Sequence, residues 1–295
     1  MQDYIVRAIA AEGTVMAFAA VTTNMVEEAI KIHSLSPVAC AALGRTMTAA
    51  AIMSGLLKGE KDTVTVQIKG GGPLGGIVVI SDSKANVRGY LSNPQVDLPL
   101  NSLGKFDVAD AVGKNGYMNV IKDMGLKEPY IGYVNLVSGE IAEDLVYYFA
   151  NSEQVPSIVA LGVLVNTDGS ILEAGGFIIQ LMPGAGDDII DFLETRMGAI
   201  PPITKLLSDG KSPEEVLQLI FEGKDLKFLQ EAPCRYLCNC SRERMERNIM
   251  SMGAKEILDM VEEQHGAETQ CHFCNRKYQF SEAELLELVQ GNIEE

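Results

Sequence analysis

This chain of 295 residues has 47% hydrophobic residues, enough for one large core or two modest ones, which excludes a chain that is disordered throughout. Its 24 Lys and Arg residues stand against 40 Asp and Glu residues, a formal net charge of −16. Such a surface repels phosphate backbones and anionic lipid headgroups, so the composition argues against nucleic-acid binding and against a membrane-surface function.

The N-terminus does not have the pattern of a secretory signal peptide, because Asp3 is acidic and no sustained hydrophobic run precedes Glu12. Nowhere do eighteen uncharged apolar residues follow one another, so no membrane-spanning helix is expected. We therefore expect a soluble, intracellular protein. Cysteines in that compartment stay reduced unless they bind metal or carry out redox chemistry.

Residues 1–183 alternate between strand-like and helix-like segments. A hairpin is predicted for YIVRAIA and TVMAFAAV around AEG, and two helices follow, the second with Ser36 as its cap and Pro37 in its first turn. Then come five predicted strands, a helix around Leu145 and two last strands joined by NTDGS. The five strands are DTVTVQI, GIVVIS, NVRGYL, YMNVIKDM and YIGYVNLV. The pattern predicts an α+β domain with a mixed or antiparallel sheet.

Residues 184–231 read as short amphipathic helices separated by glycine and proline. Ser212 and Glu215 form a predicted capping box, with Pro213 at the first helical position. Each helix is too short to be stable alone in water, so its apolar face must pack on a neighbour. We therefore predict that this segment is a metastable helical linker.

Residues 232–295 form a predicted third unit, with two short helices, a turn with a hairpin, and a capped terminal helix. A unit of this size buries little apolar surface, so an internal staple is expected. The fold class predicted for the whole chain is thus an α+β N-terminal domain, a helical linker and a small C-terminal metal-binding domain.

Four cysteines supply the expected staple. Cys271 and Cys274 form a C-x-x-C on a predicted turn, and Cys238 and Cys240 form a second close pair upstream. Four thiolates in two pairs match a structural zinc site, which adds on the order of 10 kcal/mol to the folding of such a unit. An accidental cluster of buried thiols is the weaker explanation, because no apolar run surrounds these cysteines.

The C-x-C spacing of Cys238 and Cys240 is unusual for a structural zinc site. Residues two apart in an extended chain have Cα atoms about 6 to 7 Å apart, near the upper limit for a disulfide, so a bridge there would be strained. Strained disulfides are easily reduced and serve as switches. The spacing thus permits a redox-responsive site, while an ordinary zinc staple stays open as the alternative.

The remaining candidates for metal binding are less specific. Cys234 could be a competing sulfur, a resolving thiol or a small side chain near the site, and the last reading is favoured because two close pairs already complete a tetrahedron. Cys40 lies in a helical apolar pattern and is expected in the core. His272 could substitute as a ligand, whereas His33 and His265 show no partner in the sequence.

The sequence also contains one pattern typical of a dinucleotide site. Gly70, Gly72 and Gly75 satisfy G-x-G-x-x-G after a predicted strand, but a strand follows where such a site needs the N-terminus of a helix. No H-E-x-x-H, P-loop or G-x-S-x-G is present, and three histidines offer little for a catalytic triad. We therefore do not expect an enzyme.

Taken together, these motifs resemble the redox-regulated 33-kDa heat-shock chaperone family. The resemblance lies in C-x-C followed about thirty residues later by C-x-x-C at the C-terminus, after a charged helical linker. It extends to IKGGGPLGG, VRGYLSNP, YYFANSEQVPS and EAGGFIIQLMPGA in the first domain, and so covers nearly the whole chain.

The resemblance implies a cytoplasmic holdase that does not hydrolyse ATP and is inactive when reduced and zinc-bound. It implies one zinc ion per chain held by Cys238, Cys240, Cys271 and Cys274, and oxidation to the disulfides Cys238–Cys240 and Cys271–Cys274. Loss of the metal would release the linker and expose apolar side chains to unfolding client proteins, and the oxidised form would be a homodimer. The side chains expected there are Ile189, Ile190, Phe192, Leu193, Leu217, Ile220 and Phe221.

Two other functions remain open on the sequence. The four-cysteine unit could be a constitutive zinc staple for a protein contact, which peroxide would leave unchanged. Alternatively, Cys271 and Cys274 could belong to a thiol-disulfide oxidoreductase, although that chemistry usually places C-x-x-C at the N-terminus of a helix and here a hairpin is expected to follow.

Overall fold

The computed structural model describes residues 2–166 and 169–291, and the chain divides into two units, residues 1–237 and residues 238–295. The strands of the first unit are β1 (Tyr4–Ala10), β2 (Val15–Val21), β3 (Thr63–Lys69), β4 (Gly76–Asp82), β5 (Asn86–Leu91), β6 (Tyr117–Asp123), β7 (Tyr130–Asn135), β8 (Ser157–Val165), β9 (Ile171–Leu181), β10 (Leu226–Pro233) and β11 (Arg235–Tyr236). Its α-helices are α1 (Thr23–His33), α2 (Pro37–Ser54), α3 (Val108–Val112), α4 (Ala142–Tyr148), α5 (Asp187–Ala199), α6 (Ile203–Ser208) and α7 (Pro213–Ile220).

The first sheet has five strands in the order β10-β1-β2-β9-β8, and every neighbouring pair is antiparallel. The predicted N-terminal hairpin is present, with Tyr4 opposite Val21 and Ala10 opposite Val15. Of the predicted NTDGS connection between β8 and β9, residues 167 and 168 lie outside the described residues.

The second sheet has six strands in the order β11-β5-β4-β3-β6-β7. The five strands predicted between residues 63 and 135 form it as an antiparallel array, and the short β11 joins its edge parallel to β5. Buried residues alternate with partly exposed ones along β3, β4 and β5. This alternation is typical of a sheet that packs one face on a core.

Helix α2 is the centre of the first unit. All of its residues except Pro37 and Arg45 are buried, as expected for a helix that is apolar on every side. Its cap is the predicted one, since the Ala39 amide donates to Ser36 Oγ. Among the described residues, no helix combines the length and the apolar character needed to cross a membrane.

The linker segment, residues 184–231, packs on the first sheet. Helices α5, α6 and α7 bury one face of each against alanines and larger apolar residues of β1, β2 and β9. The buried linker side chains are Ile189, Leu193, Ile203, Leu206, Leu207, Val216, Leu217, Ile220 and Phe221. The predicted capping box is present, with the Glu215 amide on Ser212 Oγ and the Ser212 amide on the Glu215 carboxylate.

The helical character expected of the linker ends at Ile220. Residues Leu226–Pro233 form strand β10, which pairs antiparallel with β1, Tyr4 lying opposite Pro233. The alternation in this stretch is weak, so pairing with a strand more than 200 residues away decides its structure. The division into residues 1–183, 184–231 and 232–295, with a linker that can detach and unfold, stays a prediction.

The second unit consists of α8 (Arg242–Met250), α9 (Ala254–Gln264), a hairpin of β12 (Gly266–Gln270) and β13 (Lys277–Ser281), and α10 (Glu282–Gly291). This is the predicted order of helices, hairpin and terminal helix. Its core consists of few buried apolar side chains: Met245, Ile249, Ile257, Phe280, Leu285 and Val289. A core of this size is marginal for independent folding.

Candidate metal centre

The four cysteines of the two close pairs meet at one point of the second unit. Cys238 and Cys240 lie on the segment that leads into α8, and Cys271 and Cys274 lie on the turn between β12 and β13. Their sulfur atoms all lie within 4.8 Å of one another, an arrangement that could hold a metal ion. Sequence positions about thirty residues apart are thus brought together, as the spacing predicted.

The hairpin turn has the conformation that presents two sulfurs to one point. The Cys271 amide donates to the carbonyl of Arg276 at 2.9 Å, and the Asn275 amide donates to the carbonyl of Cys271 at 2.8 Å. Asn275 has a φ of 57°, in the left-handed region that asparagine tolerates better than most residues. The turn is therefore closed by the backbone independently of the sulfurs.

The sulfur separations fit a zinc ion. A tetrahedral site with zinc–sulfur bonds of about 2.3 Å places its sulfurs about 3.8 Å apart. The Cys238 and Cys271 sulfurs are 3.7 Å apart, and the Cys240 and Cys274 sulfurs are 3.4 Å apart. Four soft thiolates are also the donor set typical of structural zinc.

The surroundings of the sulfur cluster shift the pKa values of Cys238 and Cys240 in opposite directions. Burial raises the pKa of the Cys238 thiol. Burial would also raise the pKa of Cys240, but hydrogen bonds from Tyr278 and Cys274 outweigh it and lower that pKa to about 7. The Tyr278 hydroxyl donates to Cys240 Sγ at 3.1 Å. Of these two thiols, that of Cys240 loses its proton more easily, and a bound cation would favour the thiolate form of Cys238 as well.

The other two cysteines lie in the first unit. Cys40 is buried in α2, and burial raises its pKa to about 12. Cys234 is 4% exposed, its thiol faces the carbonyl of Val21, and burial raises its pKa. The favoured reading of Cys234, a small side chain near the site, stays a prediction, and the structure shows that the thiol is buried.

The histidines have partners that the sequence did not reveal. His265 Nδ1 lies 2.8 Å from a Glu282 carboxylate oxygen, and His33 Nε2 lies 3.4 Å from the Tyr236 hydroxyl. Neither pair belongs to the sulfur cluster. Tyr278 is the residue near the sulfurs that the sequence analysis missed, and the predicted hairpin was the available signal, because its second strand returns past the turn.

The glycine-rich motif is a structural connection between β3 and β4, as predicted. A side chain at Gly70 would place its Cβ 2.1 Å from the Gly113 carbonyl oxygen, and Gly75 has a φ of 74°. Close backbone approach and a left-handed conformation therefore account for glycine at these positions. Strand β4 occupies the place where a dinucleotide site would need a helix.

The two buried cysteines are expected to resist alkylation in the native reduced protein. Cys40 and Cys234 are buried and have raised pKa values, so iodoacetamide should label them at least about a hundredfold more slowly than in concentrated urea. Peptide mass spectrometry after timed labelling measures each site separately. Equal labelling of Cys234 with and without urea would contradict its buried position.

Comparisons with known proteins agree with the resemblance. The model of a family described as "Hsp33 protein" matches residues 3–281. The 33 kDa chaperonin of Acetivibrio thermocellus is 64% identical over 98% of this chain and 97% of its own length, and that of Ruminiclostridium cellulolyticum is 59% identical over 99% and 100%. The crystal structure of the 33 kDa chaperonin from Thermotoga maritima superposes with a TM-score of 0.91 at 39% identity, over the full length of both chains.

Proposed function

This chain belongs to the Hsp33 family, and on that premise we propose that it is a redox-regulated holdase chaperone that works without ATP. In this proposal it binds unfolding client proteins and prevents their aggregation under oxidative stress. The observation that best supports redox regulation is that four cysteine sulfurs lie within 4.8 Å of one another in a unit with a small apolar core. The related proteins are named chaperonin, which is not an enzyme class.

In the reduced state, we assign Cys238, Cys240, Cys271 and Cys274 as the ligands of one zinc ion. The ion would supply the bonds that hold the segment before α8 to the β12–β13 turn. The fit of the sulfur separations to a tetrahedral site supports this assignment. Folding of the second unit then depends on the negative charge of its cysteine sulfurs.

Oxidation removes that charge. Four zinc-bound thiolates would lose four electrons to two molecules of peroxide, which take up four protons from the solvent; the products are two disulfides, four molecules of water and the released zinc ion. Every pair of sulfurs is within reach, so the distances alone do not select the partners. We assign Cys238–Cys240 and Cys271–Cys274 from the family resemblance.

Unfolding of the second unit would also affect the linker segment, because the two are joined by the edge strands β10 and β11. Strand β10 forms the edge of the first sheet, β11 forms the edge of the second, and Cys238 follows β11 by two residues. Edge strands have one neighbour only, so they are released more easily than central strands. Unfolding of the second unit would thus leave β10 and β11 followed along the chain by an unfolded segment.

Release of the linker segment would expose two matching apolar surfaces. One is the buried face of α5, α6 and α7, including Leu193, Leu217 and Phe221, and the other is the face of β2 and β9 beneath them. Unfolding proteins expose apolar side chains of the same kind, so both surfaces suit them. A newly exposed apolar surface also supports a homodimer in the oxidised state.

Two further parts of the proposal follow from composition. The net charge of −16 supports protein clients rather than nucleic acid, and reduced cysteines suit the cytoplasm. A thiol-disulfide oxidoreductase is less well supported, because Cys271 and Cys274 lie between two strands and not at the start of a helix.

The test is oxidation of the reduced, zinc-loaded protein with graded peroxide at mildly raised temperature. We expect release of one zinc ion, loss of four thiols and protection of a thermally unfolding client to rise together. Zinc is measured with a chromogenic chelator, thiols by alkylation and aggregation by light scattering. Equal protection by the reduced and oxidised forms would contradict the redox-regulated function, and a zinc site unchanged by peroxide would favour a constitutive staple.

A further inference from the structure

One of the four sulfurs accepts a hydrogen bond from a phenol. Tyr278 lies on β13, opposite Thr269 of β12, and its hydroxyl donates to Cys240 Sγ at 3.1 Å. The ring of Tyr278 packs against the core of the second unit, which holds the hydroxyl in place. The positive charge of Arg276, two residues earlier in the chain, favours the ionised form of the Tyr278 hydroxyl.

The hydrogen bond joins the two halves of the sulfur cluster. Tyr278 belongs to the hairpin that carries Cys271 and Cys274, whereas Cys240 belongs to the segment before α8. The other contacts shown for these sulfurs join Cys238 to Cys271 at 3.7 Å and Cys240 to Cys274 at 3.4 Å, so removing either of them would change a proposed ligand. The Tyr278 hydroxyl is therefore a contact that a single substitution can remove.

A hydrogen bond to a thiolate changes its chemistry. The donor withdraws electron density from the sulfur lone pairs, so the sulfur becomes a weaker nucleophile toward peroxide and a weaker electron donor to a metal. When a cysteine thiolate attacks peroxide, its sulfur gains an oxygen and one hydroxide leaves; a second thiol then displaces water to form the disulfide. The first of these steps depends on the nucleophilicity of the attacking sulfur.

We propose that Tyr278 is a positioning residue that slows oxidation of Cys240, and so sets how much oxidant opens the C-x-C half of the site. The inference rests on the proposed redox function and names a residue that regulates it. The phenol hydrogen bond holds Cys240 beside the hairpin and lowers the nucleophilicity of its sulfur toward peroxide. Brief exposure to peroxide therefore leaves Cys238 and Cys240 reduced. Arg276 supports the effect by polarising the phenol.

The test is Tyr278→Phe, which removes the hydroxyl and keeps the ring. In the zinc-loaded reduced variant, we expect Cys240 to be oxidised by peroxide about three to ten times faster than in the unmodified protein, from the loss of one hydrogen bond to a charged group. Timed quenching with an alkylating reagent and peptide mass spectrometry measures the rate at Cys240. Tyr147→Phe, at an exposed tyrosine of the first unit, is the matched control and should leave the rate unchanged.

A spectroscopic readout separates this role from a purely structural one. With cobalt in place of zinc, the sulfur-to-metal charge-transfer bands report the electron density on the sulfurs. Loss of the hydrogen bond should move these bands to lower energy in Tyr278→Phe and leave them unchanged in the control. Arg276→Gln, which keeps the phenol, should shift rate and bands in the same direction by a smaller amount and provides the test if Tyr278→Phe does not fold.

The proposal is overturned if Cys240 is oxidised at a rate within about twofold of the unmodified protein, or more slowly, or if the cobalt bands do not move. Neither measurement uses client protection. A failure of the chaperone function would appear as absent protection in the unmodified oxidised protein, whatever the rate at Cys240. The two failures are thus distinguishable.

Discussion

Removal of the metal is expected to unfold residues 238–291 and to leave α2 and the central strands of the first unit folded. The second unit has a small apolar core and a four-sulfur cluster that joins its two halves. A structural zinc ion contributes about 10 to 16 kcal/mol to the folding of comparable peptides, far more than a core of this size supplies. The full-length protein with a strong chelator, or as Cys271→Ser, should therefore lose the helices α8, α9 and α10.

This expectation is measured by far-ultraviolet circular dichroism together with hydrogen exchange resolved along the chain. Amides of residues 238–291 should exchange at unprotected rates, while those of α2 and the central strands stay protected. His272→Ala is the matched control, because His272 lies between Cys271 and Cys274 in the sequence and is exposed. Loss of metal from His272→Ala would show that the imidazole is a ligand, and protection that survives chelation would show that the cluster is not the staple.

Weakening the packing of the linker segment is expected to activate the protein without oxidant. Leu217 is fully buried between α7 and the first sheet, so Leu217→Ala removes buried methyl groups at a cost of about 2 to 5 kcal/mol. This cost falls on the docked state of the segment alone, since a released segment exposes residue 217 to water. The reduced variant should therefore protect a thermally unfolding client.

Hydrogen exchange and light scattering of a client, both under reducing conditions, check this prediction. Faster exchange should be confined to residues 187–233, which distinguishes release of the segment from unfolding of the first unit. Leu229→Ala is the matched control, because Leu229 lies on β10 and is 45% exposed. If Leu217→Ala releases the segment and the reduced protein still gives no protection, docking of this segment is not what holds the chaperone inactive.

Most of the helices and strands could be predicted from local patterns in the sequence. The alternation in β3, β4 and β5 and the continuous apolar character of α2 are properties of short windows, and burial follows them. Strand β10 was missed because LKFLQEAP has no strong pattern of its own, and its place at the sheet edge comes from β1. The parallel pairing of β11 with β5 was likewise beyond a local reading, since two residues carry no period.

The candidate site was likewise predictable from the sequence in part. Cys238, Cys240, Cys271 and Cys274 were predicted together because metal ligands recur at short, characteristic spacings that the chain displays directly. The burial of Cys234 could not be predicted from the sequence, because it depends on the pairing of β10 and β11 with distant strands.

The amino-acid sequence by itself thus determined the type of fold and the two close cysteine pairs, since each depends on periodicity or spacing within a short stretch. It also carried the resemblance to the family, through segments along nearly the whole chain. Only the tertiary structure showed which surface the linker segment covers and that β10 and β11, the last strands before Cys238, lie at sheet edges. Only the tertiary structure showed that the Tyr278 hydroxyl donates to Cys240 Sγ. These are contacts between residues far apart along the chain. Their free energy comes from burial and hydrogen-bond geometry that exist only once the chain is folded.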